Sequence, residues 1–218
     1  MCGRYGETES AETLARRFGA ALRAPATGPR YNIAPTQHAP VLVRDGGGLF
    51  LSLFRWGLRP GWARDGAPEP INARSEDAAG KPYFRAAWRS RRCVVPASGF
   101  YEWRKTADGK VPHWIRRADG EPLTLAGLWE VWTPRDAEPV HSFCILTTGP
   151  NEAMRPIHDR MPVILDAEER DTWLDPGADP AALQPLMRPW AGELRAHPVS
   201  TRVNSPRNDG PELIEQAG

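Results

Sequence analysis

Apolar and polar residues alternate along the chain in short segments, and the period changes from helical near the start to extended in the middle. In "SAETLARRFGAAL", Leu14, Phe18 and Leu22 recur at four-residue spacing behind Ser10, a side chain suited to cap a helix. The pattern predicts a helix that stops at the Gly and Pro residues beyond it. "APVLVRDGGGLFLSLFRWG" reads as two extended apolar runs joined by a Gly-rich turn, and "HWIRRADGEPLTLAGLW" repeats that hairpin arrangement around Asp119-Gly120. "SFCILTT" and "MPVILD" add strands. Two short helices are expected late in the chain, one opening at Asp166 with Glu169 in capping-box spacing and one at Asp179 with Pro180 at its first position. Strands dominate, and Pro/Gly punctuation marks loops, so residues 1–218 are expected to form a single α+β domain of mainly antiparallel sheets.

Composition narrows the function classes. A net charge of +1 gives the molecule no field that seeks polyanions, so any nucleic-acid surface must be local. Only three of the 28 basic residues are Lys, and the Arg remainder supplies planar forks suited to phosphate. No apolar run approaches the roughly 20 residues of a membrane span, and the first ten residues are polar, so no membrane association and a cytoplasmic location are expected. Cys2, Cys93 and Cys144 are an odd set without a CxxC pair, which argues against disulfides and a structural metal site. Cys93 and Cys144 lie in apolar runs and are expected in the core. Nine of the nineteen aromatic residues are Trp. Trp56, Trp62 and Trp103 fall in turn-rich stretches beside Arg, where an indole can stack on a base while Arg holds phosphate.

Cys2 follows the initiator methionine. Removal of Met1 would leave one residue carrying an α-amine of pKa roughly 8 and a thiol of about 8.5 on adjacent carbons. Three further stretches concentrate polar residues in apolar or turn-like surroundings: "INARSE", "GFYEW" and "IHDRMPVIL". They contribute Asn72, Glu102 and His158. Taken singly, Asn72 serves equally as a turn cap, Glu102 as an exposed strand residue and His158 as a loop histidine.

Together with "RYNIAPTQ", "FRWGLRPGW" and "HPVSTRVNSPRNDGPELI", these motifs resemble the SOS-response-associated peptidase (SRAP) family of abasic-site processing proteins over the full chain. The resemblance implies antiparallel sheets around an open barrel-like core with peripheral short helices. It also implies a covalent trap for abasic sites in single-stranded DNA, in which Cys2 forms a thiazolidine crosslink after loss of Met1. Weak abasic-site lyase and self-processing peptidase activities would accompany the trap. Cys2, Asn72, Glu102 and His158 match the catalytic set, with Arg74 beside Asn72. Arg4 and Arg160 match residues at or near phosphate, and Pro35 and Trp62 match loops inserted at distorted DNA. Ala63 stands where some members carry a second Trp. No cofactor or metal is implied, and a monomer is expected because the substrate must thread past the N-terminus. Two rival readings are an N-terminal-nucleophile amidohydrolase or peptidase and a noncovalent single-stranded DNA-binding module. The first resembles enzymes that use an Asn-Gly segment, which this sequence lacks. The second predicts salt-sensitive binding that survives loss of Cys2.

Overall fold

The computed structural model describes residues 2–135 and 137–217. Its strands are β1 (Tyr5–Glu7), β2 (Ala21–Leu22), β3 (Arg30–Ile33), β4 (His38–Asp45), β5 (Gly48–Trp56), β6 (Asn72–Arg74), β7 (Arg92–Ala97), β8 (Gly99–Thr106), β9 (Gly109–Arg117), β10 (Leu123–Trp132), β11 (Val140–Thr148), β12 (Met161–Pro162) and β13 (Leu194–Pro198). Short helices lie between them: α1 (Ala11–Phe18), α2 (Ser75–Ala78), α3 (Arg85–Ser90), α4 (Ala167–Leu174) and α5 (Pro180–Leu183). A five-stranded sheet runs β13-β9-β8-β1-β3. The larger sheet runs β12-β11-β10-β7-β4-β5-β2, with β6 added alongside β11. Pairing is antiparallel except where β11 meets β5 and β6 and where β2 meets β5. The expected class, α+β with mainly antiparallel sheets, a barrel-like core and peripheral short helices, is the one observed.

Local signals in the sequence fix most helix ends. Ser10 accepts the Thr13 N–H at 3.2 Å and opens α1, and Gly19 closes it in the left-handed region at φ 62°. Leu22 is therefore not on the helix as its spacing implied: the backbone reverses at Gly19, and Leu22 lies exposed in β2. Asp166 and Glu169 form the expected reciprocal capping box of α4, and Pro180 opens α5 behind Asp179.

The β4–β5 hairpin forms, with Asp45 opposite Gly48 and its carboxylate accepting the Gly47 N–H at 2.8 Å. The second expected hairpin does not. β9 pairs with β8 and β13 in one sheet, while β10 pairs with β7 and β11 in the other. The Asp119-Gly120 turn carries the chain between sheets, because both edges of each strand already have partners. "MPVILD" shrinks to the two residues of β12: Pro162 cannot donate to a ladder, and Ile164 makes only an isolated bridge to Leu125.

Alternation along β8 separates two cores. Phe100 faces a cluster with Cys2, Tyr5, Ile33, Trp56 and Cys93, and Tyr101 faces Trp114, Val199, Val203 and Leu213 on the other side. Glu102 shares the Phe100 face by period. Gly99 is required here, since a Cβ would lie 2.5 Å from the Trp114 ring. Trp56 is wholly buried and cannot stack on a base; its run of apolar neighbours, not the nearby turn, sets its place. Cys93 and Cys144 are core residues as expected. No helix among the described residues is long and apolar enough to cross a membrane.

Candidate active site

The site is assembled where β1 enters the smaller sheet. Pairing of Tyr5 with Phe100 and of Gly6 with Gly99, extended by the Tyr101 N–H donating to the Arg4 carbonyl at 2.9 Å, draws the N-terminal residues along β8. Cys2 is completely buried, with its thiol 3.9 Å from the Arg4 carbonyl. Burial pushes that thiol up, and the negative charge of Glu102 pushes it further, so the thiol and not the thiolate is the resting form. Glu102 is itself only 3% exposed.

Asn72 arrives from the other sheet. β6 lies parallel to β11, with Asn72 opposite Ile145, and this register aims the Asn72 Nδ2–H at the Cys2 carbonyl, 2.8 Å away. The remaining Asn72 oxygen is buried and accepts no hydrogen bond within the described residues. Arg74, at the far end of β6, is exposed.

His158 follows a pair of tight turns in which its N–H donates to the Met154 carbonyl at 2.9 Å. Its ring is partly buried, and Nδ1 accepts the Arg160 N–H at 3.0 Å. Arg160 grips Thr147 of β11, and Thr147 lies opposite Arg74, so the His158 turn docks against the same strand pair that carries Asn72.

The expected phosphate contacts divide. Arg4 donates from Nη1 to the Asn32 side chain (2.8 Å) and the Val203 carbonyl (2.7 Å), which makes it a tie between β1, β3 and the closing segment. Asn32, fully buried, donates to the carbonyls of Val203, Ser205 and Asn208, while Asp209 accepts the N–H groups of Tyr31 and Asn32. No local pattern announces this strap, since its partners are more than 170 residues apart in sequence. Arg160 spends its fork on Glu76, whose carboxyl is held down to about 2 by the guanidinium. Glu76 sits inside "INARSE" between the buried Ser75 and the exposed Asp77, and no local spacing links it to Arg160.

Pro35 occupies a turn whose next residue, Thr36, has φ 73° and donates its N–H to the Trp56 carbonyl at 2.8 Å. Trp62 is 63% exposed and packs edge-on against Tyr83 at 5.4 Å. Ala63 is buried, and its carbonyl takes the Trp132 indole N–H at 2.8 Å, so a second exposed indole has no place at this position. Trp103 donates its indole N–H to Asn204 and braces the closing segment. Among the described residues no group of His, Cys, Asp and Glu is arranged to hold a metal ion.

Residues 1–206 match the family model for SOS response associated peptidase (SRAP). The chain is 40% identical to the abasic site processing protein YoqW of Bacillus subtilis, over 99% of each chain. It is 35% identical to the abasic site processing protein HMCES of Xenopus tropicalis, over 85% of this chain and 65% of that longer one. A crystal structure of a protein from Bacteroides thetaiotaomicron superposes with a TM-score of 0.90 at 26% identity, covering 99% of this chain and all of that one.

Proposed function

The chain belongs to the SRAP family, and from that premise we propose that it senses abasic sites in single-stranded DNA and traps them covalently through Cys2 once Met1 has been removed, by an aminopeptidase or by the protein itself. The observation that carries this reading is the Asn72 clamp on the Cys2 carbonyl, which fixes the first backbone unit beside the buried Glu102.

An abasic deoxyribose opens to a C1′ aldehyde. His158 donates a proton to the ring oxygen as the C1′–O4′ bond breaks, the C1′ hydroxyl gives its proton to water as it becomes the aldehyde, and Glu102 takes a proton from the Cys2 ammonium to free the amine. The amine attacks C1′ to give a carbinolamine, which loses one water to give an imine. The thiol then adds across the C=N bond: sulfur bonds to C1′, and the thiol proton ends on nitrogen. The product is a thiazolidine ring of nitrogen, Cα, Cβ, sulfur and C1′, and the only by-product is the water already lost. The raised thiol supports this order, because a protonated thiol is a poor first nucleophile while the amine is free to begin. The same feature disfavours a Cys2–His158 thiolate pair of the peptidase kind. Where ring closure lags, the imine permits β-elimination of the strand, a weak lyase side reaction.

Arg74, Trp62 and Pro35 are proposed to meet phosphate and base on the flanking strand, a reading supported by the exposure of Arg74 and Trp62. Arg4 and Arg160 are proposed to contact flanking phosphate in addition to tying the N-terminus and the His158 turn to the fold. The acting species is proposed to be a cytoplasmic monomer that needs no cofactor. A denaturing gel of the processed protein with a single-stranded oligonucleotide carrying one abasic site tests the mechanism. Wild type should give a stable shifted band, Cys2→Ala none, and Cys2→Ser a band only after borohydride reduction of its imine. A stable unreduced band from Cys2→Ser would overturn the thiazolidine step.

A further inference from the structure

Pairing of Tyr5 with Ile33 is antiparallel, so the chain before β1, which carries Cys2, and the chain after β3, which carries Pro35, leave the small sheet at the same end. In the proposed reaction both meet one DNA strand, so their separation has to be held. The ladder alone does not hold it, because Cys2 and Pro35 lie outside β1 and β3. The turn after β3 is also strained: Thr36, a β-branched residue, sits in the left-handed region at φ 73°. Such a residue persists only where its surroundings over-determine it.

One carboxylate of the closing segment reaches both places. Asp209 Oδ2 accepts from Arg30 Nε at 2.5 Å, and Arg30 Nη2 donates to Gln37 Oε1 at 2.7 Å. The same Oε1 accepts the Ala34 N–H at 3.0 Å and so bridges the Pro35 turn from end to end. On the other branch, Asp209 Oδ1 accepts the N–H groups of Tyr31 (2.5 Å) and Asn32 (2.9 Å). Asn32 Oδ1 accepts from Arg4 Nη1 at 2.8 Å, and the Arg4 carbonyl lies 3.9 Å from the Cys2 thiol. The buried Asn32 amide also donates to the Val203, Ser205 and Asn208 carbonyls, which holds the loop that bears Asp209 against β3.

We propose that Asp209 is a positioning residue for the crosslinking reaction. Through Arg30 and Gln37 it sets the Pro35 turn, through Asn32 and Arg4 it sets the strand that carries Cys2, and it thereby fixes the nucleophile relative to the turn. The proposal rests on the reading of Cys2 as the trap and of Pro35 as a DNA contact. Asp209 acts through these partners, and a carboxylate offers phosphate no attraction, so its effect falls on rate and not on affinity.

Single-turnover crosslinking of the processed full chain, titrated with a single-stranded oligonucleotide carrying one abasic site, separates the maximal rate from the half-saturating DNA concentration. Asp209→Asn keeps the shape but sets an amide NH2 against either Arg30 or the β3 N–H groups. Its maximal rate should fall about tenfold, while half-saturation stays within about threefold of wild type. Gln37→Ala should also be slower than wild type, and the double variant no slower than Asp209→Asn alone, because both changes break one chain of contacts. Ile214→Ala loosens the packing of the same closing segment outside that chain and should crosslink at the wild-type rate. An Ile214→Ala protein as slow as Asp209→Asn at the same urea midpoint would make the role merely structural and overturn the proposal. So would slowing that multiplies in the double variant.

The Ala34 and Tyr101 N–H groups, which donate to Gln37 and to the Arg4 carbonyl, report each branch without DNA. Their hydrogen exchange should be about tenfold faster in Asp209→Asn, with β7 unchanged; wild-type exchange at both would overturn the proposal. Failure of the wild-type protein to form any adduct would overturn the abasic-site reading and the proposal with it, and the exchange rates tell that failure from failure of the strap.

Discussion

Cys2 and Cys93 lie in the same core cluster, both at zero exposure, and burial pushes both thiols up. By environment alone they are near equals. They differ in the backbone: Cys93 is embedded in β7, with its carbonyl taken by the Trp173 indole N–H at 2.9 Å, while Cys2 precedes β1 and its carbonyl is held by Asn72. An internal cysteine has only an amide nitrogen and can add to an aldehyde only through sulfur, as a labile thiohemiacetal. A terminal one has two nucleophiles on neighbouring carbons. In the proposed reaction, chain position and not thiol acidity separates the two cysteines.

The largest test of that contrast exchanges the two residues' fates. Cys2→Ala should abolish the denaturation-resistant adduct, whereas Cys93→Ala should form it at the wild-type rate and lose about 1–2 kcal/mol of stability to the cavity left in the core, read by urea denaturation. Loss of the adduct in a folded Cys93→Ala protein would break the comparison. Next in size, Asn72→Ala should slow crosslinking by about ten- to a hundredfold at unchanged fold, read by single-turnover gels, because the Cys2 carbonyl loses the contact that fixes it.

The smallest expected effect sharpens the contrast from the other end of β1. Glu7 is 2% exposed, its Oε1 accepts from Ser98 and the Glu9 N–H, and burial raises its carboxyl to about 7 from an ordinary 4.5. Between those values the folded chain holds a proton that the unfolded chain has released. Its contribution is therefore fully present below about pH 4.5 and is lost as pH rises through about 7, a decline of up to about 3 kcal/mol. Urea midpoints at about pH 5 and about pH 8 should show this fall in wild type and a shallower one in Glu7→Gln. An identical fall in both would remove Glu7 as its source.

What could be read from the sequence follows the range of the interactions. Ser10, Asp166, Glu169 and Pro180 act within a turn of their own position, and the helix starts they announce are present. The β4–β5 hairpin is local too. The partners of β9 and β10 are set by edges supplied elsewhere in the chain, so two strands joined by a turn-forming Asp-Gly entered different sheets. The site divides the same way. Cys2, Asn72, Glu102 and His158 stand out as polar residues in apolar or turn-rich runs. The Asn32–Asp209 strap and the Glu76–Arg160 clamp join segments far apart in sequence, and nothing in either segment announces the other.

In the proposed reaction Cys2 supplies both nitrogen and sulfur to one carbon of an abasic site. This is tested most directly by intact-mass analysis of the processed protein, confirmed to begin at Cys2, after incubation with a single-stranded oligonucleotide bearing one abasic site. The expected product is an unreduced adduct equal to protein plus oligonucleotide minus one water, with peptide mapping that places the link on Cys2 and finds its thiol unavailable to alkylation. An adduct whose Cys2 thiol remains alkylatable, or one mapped to any other residue, would contradict it.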